Sequence, residues 1–180
     1  MKQKVTLLQI AELGQPVIRK KASRVKKIDD PLIGQLIDDL TATVKEVDGV
    51  GIAAPQVYKS LQLFILASHP NKRYPKAPKM KPHAVINPKI ISYSQKTEKG
   101  WEGCLSIPGI RGLVPRHESI EVEYSTREGG KTRKRFKGFV AKIFQHEFDH
   151  IQGTVFLDRL DSSKDIITEK EYQRALRSKI

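Results

Sequence analysis

Leu32, Leu36, Leu40, Val44 and Val47 recur three or four residues apart, which predicts one apolar stripe on a helix. Asp30 can cap that helix, Pro31 suits its first position, and Asp48-Gly49 ends it. Leu61 to Ala67, apolar except for Gln62, reads as a buried strand. Residues 69 to 83 carry four prolines among many lysines, so an exposed loop is expected there. Ala84 to Ile86 and Lys89 to Tyr93 predict two short strands broken at Asn87-Pro88. From Ser119 to Ser125, Ile120, Val122 and Tyr124 alternate with Glu121 and Glu123, the period of a half-buried strand. Glu128-Gly129-Gly130 then turns the chain into Lys131 to Lys137, a hairpin. Gly138 to Gln152 reads as a second helix stopped by Gly153. A third helix, capped by Ser162 or Ser163, is expected to run through Ile166, Ile167 and Tyr172 to Leu176. The expected fold is a single α+β domain over residues 1–180, with antiparallel β-sheets around the central second helix and a C-terminal helix.

At 180 residues, 38% hydrophobic and 29% charged, the chain has the makeup of a globular protein with a core of its own. Its longest apolar stretches are strand-sized, far short of a membrane span. The N-terminal segment MKQKVTLLQI lacks a signal-peptide core, so a cytoplasmic protein is expected. The lone cysteine, Cys104, has no internal disulfide partner, in keeping with a reducing environment. Thirty-three Lys and Arg against 20 Asp and Glu leave a formal charge of +13. A field of that sign attracts polyanions such as RNA or a ribosome surface. One basic cluster holds Arg19, Lys20, Lys21, Arg24, Lys26 and Lys27; another holds Lys164, Lys170, Arg174, Arg177 and Lys179.

Chemistry enters at Gln145-His146-Glu147-Phe148-Asp149-His150, which contains the pattern H-E-x-x-H. Four residues at 3.6 per turn rotate only about 40°, so both imidazoles leave the helix on one side and can meet one metal ion. Glu147 lies between them as a candidate acid/base. Phe139 and Ile143 share the stripe of the histidines, while Val140, Phe144 and Ile151 share that of Glu147. Both stripes therefore face inward, and Lys142, Gln145 and Asp149 are expected on the outer side. Buried histidines and a carboxylate need partners, and a metal supplies them. Three protein donors and one open position suit a catalytic site. Downstream, Asp158 and Asp161 are candidates for the third donor; upstream stands Cys104 within Glu102-Gly103-Cys104-Leu105-Ser106.

Three segments together carry a family resemblance: Gly49-Val50-Gly51-Ile52-Ala53-Ala54-Pro55-Gln56, Glu102 to Ser106, and His146 to His150. In order and separation they resemble the signature motifs of peptide deformylase, over nearly the whole chain. Ile52 stands where leucine is common, and the Lys- and Pro-rich stretch at 69–83 is longer than in compact members. The resemblance implies a hydrolase that removes the formyl group from the initiator methionine of nascent polypeptides. It implies Cys104, His146 and His150 as metal ligands and Glu147 as the general acid/base. It makes Gln56 and the Leu105 N–H the donors to the formyl oxygen, with Val50, Gly51 and Arg111 bordering the substrate cleft. The implied ion is ferrous iron; a thiolate with two imidazoles also suits zinc, nickel or cobalt. Two rival readings remain open in the sequence. One is an H-E-x-x-H endopeptidase with an acidic third ligand; the other is a basic RNA-binding module, for which charge is the only feature.

Overall fold

In a computed structural model that describes residues 4–178, Asp30 accepts the Leu32 N–H at 2.9 Å and starts α1 (Pro31–Glu46). The buried face of α1 is Leu36, Ile37, Leu40 and Val44. Leu32, expected on that stripe, is 74% exposed. It sits on the first turn of α1 and is absent from the core that Leu36, Ile37, Leu40 and Val44 form with the sheet that α1 covers, so helical phase alone does not bury it.

That sheet has five antiparallel strands in the order β1 (Gly51–Ala53), β2 (Leu63–Leu66), β3 (His83–Tyr93), β6 (Ser119–Ser125) and β7 (Lys131–Lys137). Strand alternation splits β2 between two cores. Leu63 and Ile65 pack with Leu40 and Val44 of α1 on one face. Phe64 and Leu66 pack with Ile143 and Phe144 of α2 (Gly138–Ile151) on the other. Two covered faces explain the unbroken apolar run in this strand. The break expected at Asn87-Pro88 is instead a bulge within one continuous β3. Asn87 takes φ 51°, and its side-chain amide both accepts from and donates to the backbone of Val25, at 2.8 and 2.9 Å.

A second antiparallel sheet, β4 (Thr97–Cys104), β5 (Ile107–His117) and β8 (Ile166–Thr168), has no counterpart in the expected elements. Its strands lack clean alternation, and β5 contains Pro108 and Pro115, both outside the Ile110–Gly112 stretch that β8 covers. The third helix also begins later than expected. Ser162 caps a single short turn through the Lys164 N–H, and Ile166 and Ile167 then join β8. Thr168 caps the shorter α3 (Glu169–Arg177). The apolar residues of that segment answer to sheet pairing rather than to helical phase. α2 ends at Gln152 and Gly153, whose φ of 76° suits glycine; a Cβ there would also lie 2.6 Å from the Arg19 carbonyl oxygen. The result is an α+β protein in which antiparallel sheets surround α2, with α3 at the C-terminal end. Among the described residues, no helix is long and apolar enough to cross a membrane.

Candidate metal centre and substrate cleft

α2 presents His146, Glu147 and His150 toward the end of β4, where Cys104 closes the strand. One donor atom each from Cys104, His146 and His150 lies within 4.8 Å of the other two. The Cys104 Sγ is 3.2 Å from the His150 Nε2. The alternative acidic donors are engaged elsewhere: Asp158 pairs with Arg19 and accepts the Val155 N–H, and Asp161 pairs with Lys99 at 2.8 Å.

The His146 ring is oriented from behind, its Nδ1–H donating to Glu102 at 2.8 Å. Glu102 is itself held by the Arg116 guanidinium through two bonds, at 2.8 and 3.0 Å. Arg116 also reaches Asp149 at 2.6 Å, and Arg159 closes the chain with bonds to both Asp149 oxygens. Gln145 and Asp149, expected on the outer side of α2, are therefore buried. Gln145 accepts the His117 N–H and donates to the His117 carbonyl, while Asp149 takes the two arginines. No local pattern marks this network, because its members come from β4, β5, α2 and the segment after α2.

Electrostatics follow from that arrangement. Burial disfavours the Glu102 charge, yet Arg116 and His146 hold its carboxyl down at about 2. Burial opposes charging His146 too, but the hydrogen bonds to Cys104 and Glu102 prevail and raise it well above the ordinary range. His150 is pushed well below that range, first by burial and then by the neighbouring His146 and Arg116 charges. Burial pushes the Glu147 carboxyl up to about 7 against the pull of His146. Glu147 is only 4% exposed, and its Oε2 has no partner among the described residues; neither has the His150 Nδ1. A buried carboxylate oxygen left unpaired costs free energy unless a ligand completes it. A soft sulfur, two imidazole nitrogens and an unpaired carboxylate fit a divalent transition-metal ion with open coordination.

A cavity of about 260 Å³ opens onto this group and is lined by Val50, Gly51, Gln56, Cys104, Leu105, His146 and Glu147 among others. Gly51 permits the approach: a Cβ there would stand 2.5 Å from the Glu147 Oε1. The Gln56 Oε1 accepts the Ala53 N–H at 2.9 Å, which aims the amide nitrogen at Ser106 Oγ (3.2 Å) and Cys104 Sγ (3.5 Å). Arg111, expected beside the substrate, is not among the lining residues. It is 1% exposed and bonded to Glu169 of α3 at 2.6 Å. Arg73, Tyr74, Trp101, Lys142 and Tyr172 line the cavity instead, residues that no motif marks. Two of them come from the 69–83 segment, whose prolines and lysines are exposed as expected of a loop while Arg73 and Tyr74 turn onto the cavity. The Arg73 guanidinium donates to the Val47 and Asp48 carbonyls, and Tyr74 packs on Phe139 with ring centroids 5.0 Å apart.

Fold and site define an α+β hydrolase class in which an H-E-x-x-H helix is completed by a cysteine at the end of a strand. Residues 7–165 match the family model described as polypeptide deformylase, and the chain belongs to that family. It is similar to peptide deformylase 2 of Nostoc sp., 59% identical over 93% of each chain. A second relative, peptide deformylase 2 of Shewanella oneidensis, is 48% identical over 84% of this chain and 83% of its own. Among solved structures, the Met-Ala-Ser-bound class I type b peptide deformylase of Acinetobacter baumannii superposes with a TM-score of 0.85. That match is 42% identical and covers 87% of this chain and all of the other. The activity is removal of the N-formyl group from the initiator methionine of nascent polypeptides, with release of formate.

Proposed function

We propose that this chain performs deformylation with Cys104, His146 and His150 as metal ligands, Glu147 as proton carrier, and Gln56 with the Leu105 N–H as oxyanion donors. The observation that carries the reading is the buried, unpaired Glu147 oxygen in the cavity wall beside a Cys/His/His donor set. A divalent ion held there supplies Lewis acidity and brings water ionisation close to neutral pH. Glu147 accepts a proton from water as its oxygen bonds to the formyl carbon. As the C–N bond breaks, Glu147 returns the proton to the departing amine, leaving formate and a free methionyl terminus. The Gln56 amide and the Leu105 N–H stabilise the oxygen as it gains charge; removing one such donor typically costs about 3 kcal/mol of barrier. Val50 and Gly51 border the bound peptide. Arg111 supports the wall from behind.

Ferrous iron is the proposed ion, with zinc, nickel and cobalt as replacements that the same donors accept. The whole chain works as one catalytic domain in a bacterial-type cytoplasm, where its basic surface holds it near ribosomes. Formyl-Met-peptide hydrolysis, measured after anaerobic purification with metal counted on the same sample, tests the core of the reading. Activity should track bound metal and be lost in Cys104→Ala, His146→Ala and His150→Ala. Full metal retention by Cys104→Ala would rule out the coordination.

A further inference from the structure

A second cluster of polar side chains sits where α1 runs into β1, apart from the Cys/His/His group and the network behind it. Asp48, the residue before Gly49, takes φ 51°, an uncommon conformation for a residue with a side chain. The groups that hold it come from the start of the 69–83 segment. The Asn71 amide donates to the Asp48 carbonyl at 3.0 Å. The Arg73 guanidinium donates to the same carbonyl at 2.5 Å and to that of Val47 at 3.1 Å. The Asn71 side-chain oxygen in turn accepts the N–H groups of Arg73 and Tyr74, at 3.0 and 2.7 Å.

His69 closes this clamp through both ring nitrogens. Nε2 faces the Asp48 Oδ1 and Nδ1 faces the Ala67 carbonyl oxygen, each at 2.8 Å. A carboxylate and a carbonyl only accept, so both nitrogens must carry a proton, and a neutral imidazole has a single N–H. The geometry is that of an imidazolium. The bond to Asp48, then that to Ala67, raises His69 above the ordinary histidine range, against partial burial and the Arg73 charge. Among the described residues, Asp48 and Arg73 are the charged groups that act on the ring. The clamp bears on the cleft. The Ala67 N–H donates to the Val50 carbonyl at 2.9 Å, and the next residue, Gly51, lies against Glu147. Val50, Gly51, Arg73 and Tyr74 all line the cavity.

We infer that Asp48 and His69 are positioning residues for deformylation. Charged His69 locks residues 69–74 onto the end of α1 and so fixes the wall made by Val50, Gly51, Arg73 and Tyr74; loss of its proton releases that wall. The inference rests on the reading that the formylated peptide binds in this cavity beside Glu147. The proposed metal donors and Glu147 come from β4 and α2, which none of these clamp bonds touches. Release therefore weakens peptide binding more than it slows the chemical step. The sign follows from the raised ionisation: the clamp is intact while His69 is charged and opens as pH rises through its value.

Two measurements on the metal-loaded full chain test this. In the zinc-loaded protein, NMR shifts of the His69 ring followed against pH should show it titrating above 6.5 in the wild type and lower in Asp48→Asn. With formyl-Met-Ala-Ala, the wild-type KM should rise roughly fivefold or more as His69 loses its proton, while kcat moves little across that step. His69→Ala should show the raised KM at every pH. Asp48→Asn separates protonation from packing. Its amide can donate to a neutral Nε2 while the Nδ1–H still donates to Ala67, so this variant should keep the low KM and lose the alkaline rise. The His69 and Asp48 side chains are 31% and 57% exposed, so neither substitution opens the core. A wild-type His69 that titrates at or below 6.5 would overturn the clamp, as would a His69→Ala KM that matches the wild type throughout. Failure of the underlying reading would look different: Glu147→Gln would keep wild-type turnover, and the His69 titration would stand.

Discussion

Glu147 and Glu102 are both buried carboxylates, and their surroundings assign them opposite tasks. Glu102 is pinned by Arg116 and His146 and stays charged, while Glu147 is held at about 7 with a free oxygen. Glu147→Gln should therefore keep metal and peptide binding while turnover falls by about 10²- to 10⁴-fold, measured as kcat with metal content on the same sample. Glu102→Ala should act through orientation: His146 loses its Nδ1 acceptor, and metal affinity should fall by about 10- to 100-fold in a chelator competition. Unaltered metal affinity in that variant would show that the His146 ring is held by packing alone. The H-E-x-x-H spacing announces Glu147 in the sequence, whereas nothing near Glu102 in the chain announces Arg116 fourteen residues on.

α2 carries the site on one side and the core on the other, so its packing is a condition of the chemistry. Phe144 is fully buried, with Phe64 edge-on at 5.1 Å and Phe136 at 5.5 Å. Phe144→Ala should cost about 3–5 kcal/mol, read as a lower denaturant midpoint at an unchanged m-value. The periodicity of α1 and α2 and the alternation of the β6–β7 hairpin are visible in the chain because each pattern is local and one-sided. β4 and β5 are not visible in that way. Their residues are chosen to hold Glu102, Cys104, Arg111 and Arg116 in register, and β4 pairs Gly103 with Arg111 across a turn that ends at the site.

Across the molecule, charge has two consequences that separate with pH and salt. The folded Glu102 carboxyl lies at about 2, below its ordinary 4.5, so its contribution is fully present above 4.5 and is lost as pH falls toward 2. That contribution is on the order of 3 kcal/mol. Unfolding free energy should drop over that acid window in the wild type and less steeply in Glu102→Gln. The second consequence concerns the +13 surface. Lys164, Lys170, Arg174 and Arg177 are exposed, and Lys179 lies outside the described residues. Lys170→Glu combined with Arg177→Glu should weaken cosedimentation with ribosomes, and rising salt should weaken it steeply in the wild type. Small-peptide hydrolysis should persist. Binding absent at low salt would leave the charge as a surface property. Removing the whole segment after Asp161 is a poorer test, because it also strips Tyr172 from the cleft wall and Glu169 from Arg111.

The H-E-x-x-H helix, its glycine stop at Gly153 and the shared side of its two histidines are properties of the sequence by itself, since a helix brings residues four apart together wherever it forms. The same holds for the β6–β7 hairpin and for the inward stripe from Leu36 to Val44. Apart from the family resemblance, spacing left Cys104, Asp158 and Asp161 all open, and the tertiary structure sets Cys104 beside the histidines while each acid finds a cation elsewhere in the fold. It alone turned Asp149 and Gln145 inward, where Arg116 and the His117 backbone satisfy them. It alone buried Arg111 under α3 and set Tyr172 in its place on the cleft wall. These outcomes depend on which strands and helices meet across dozens of intervening residues, and local periodicity carries no record of such meetings.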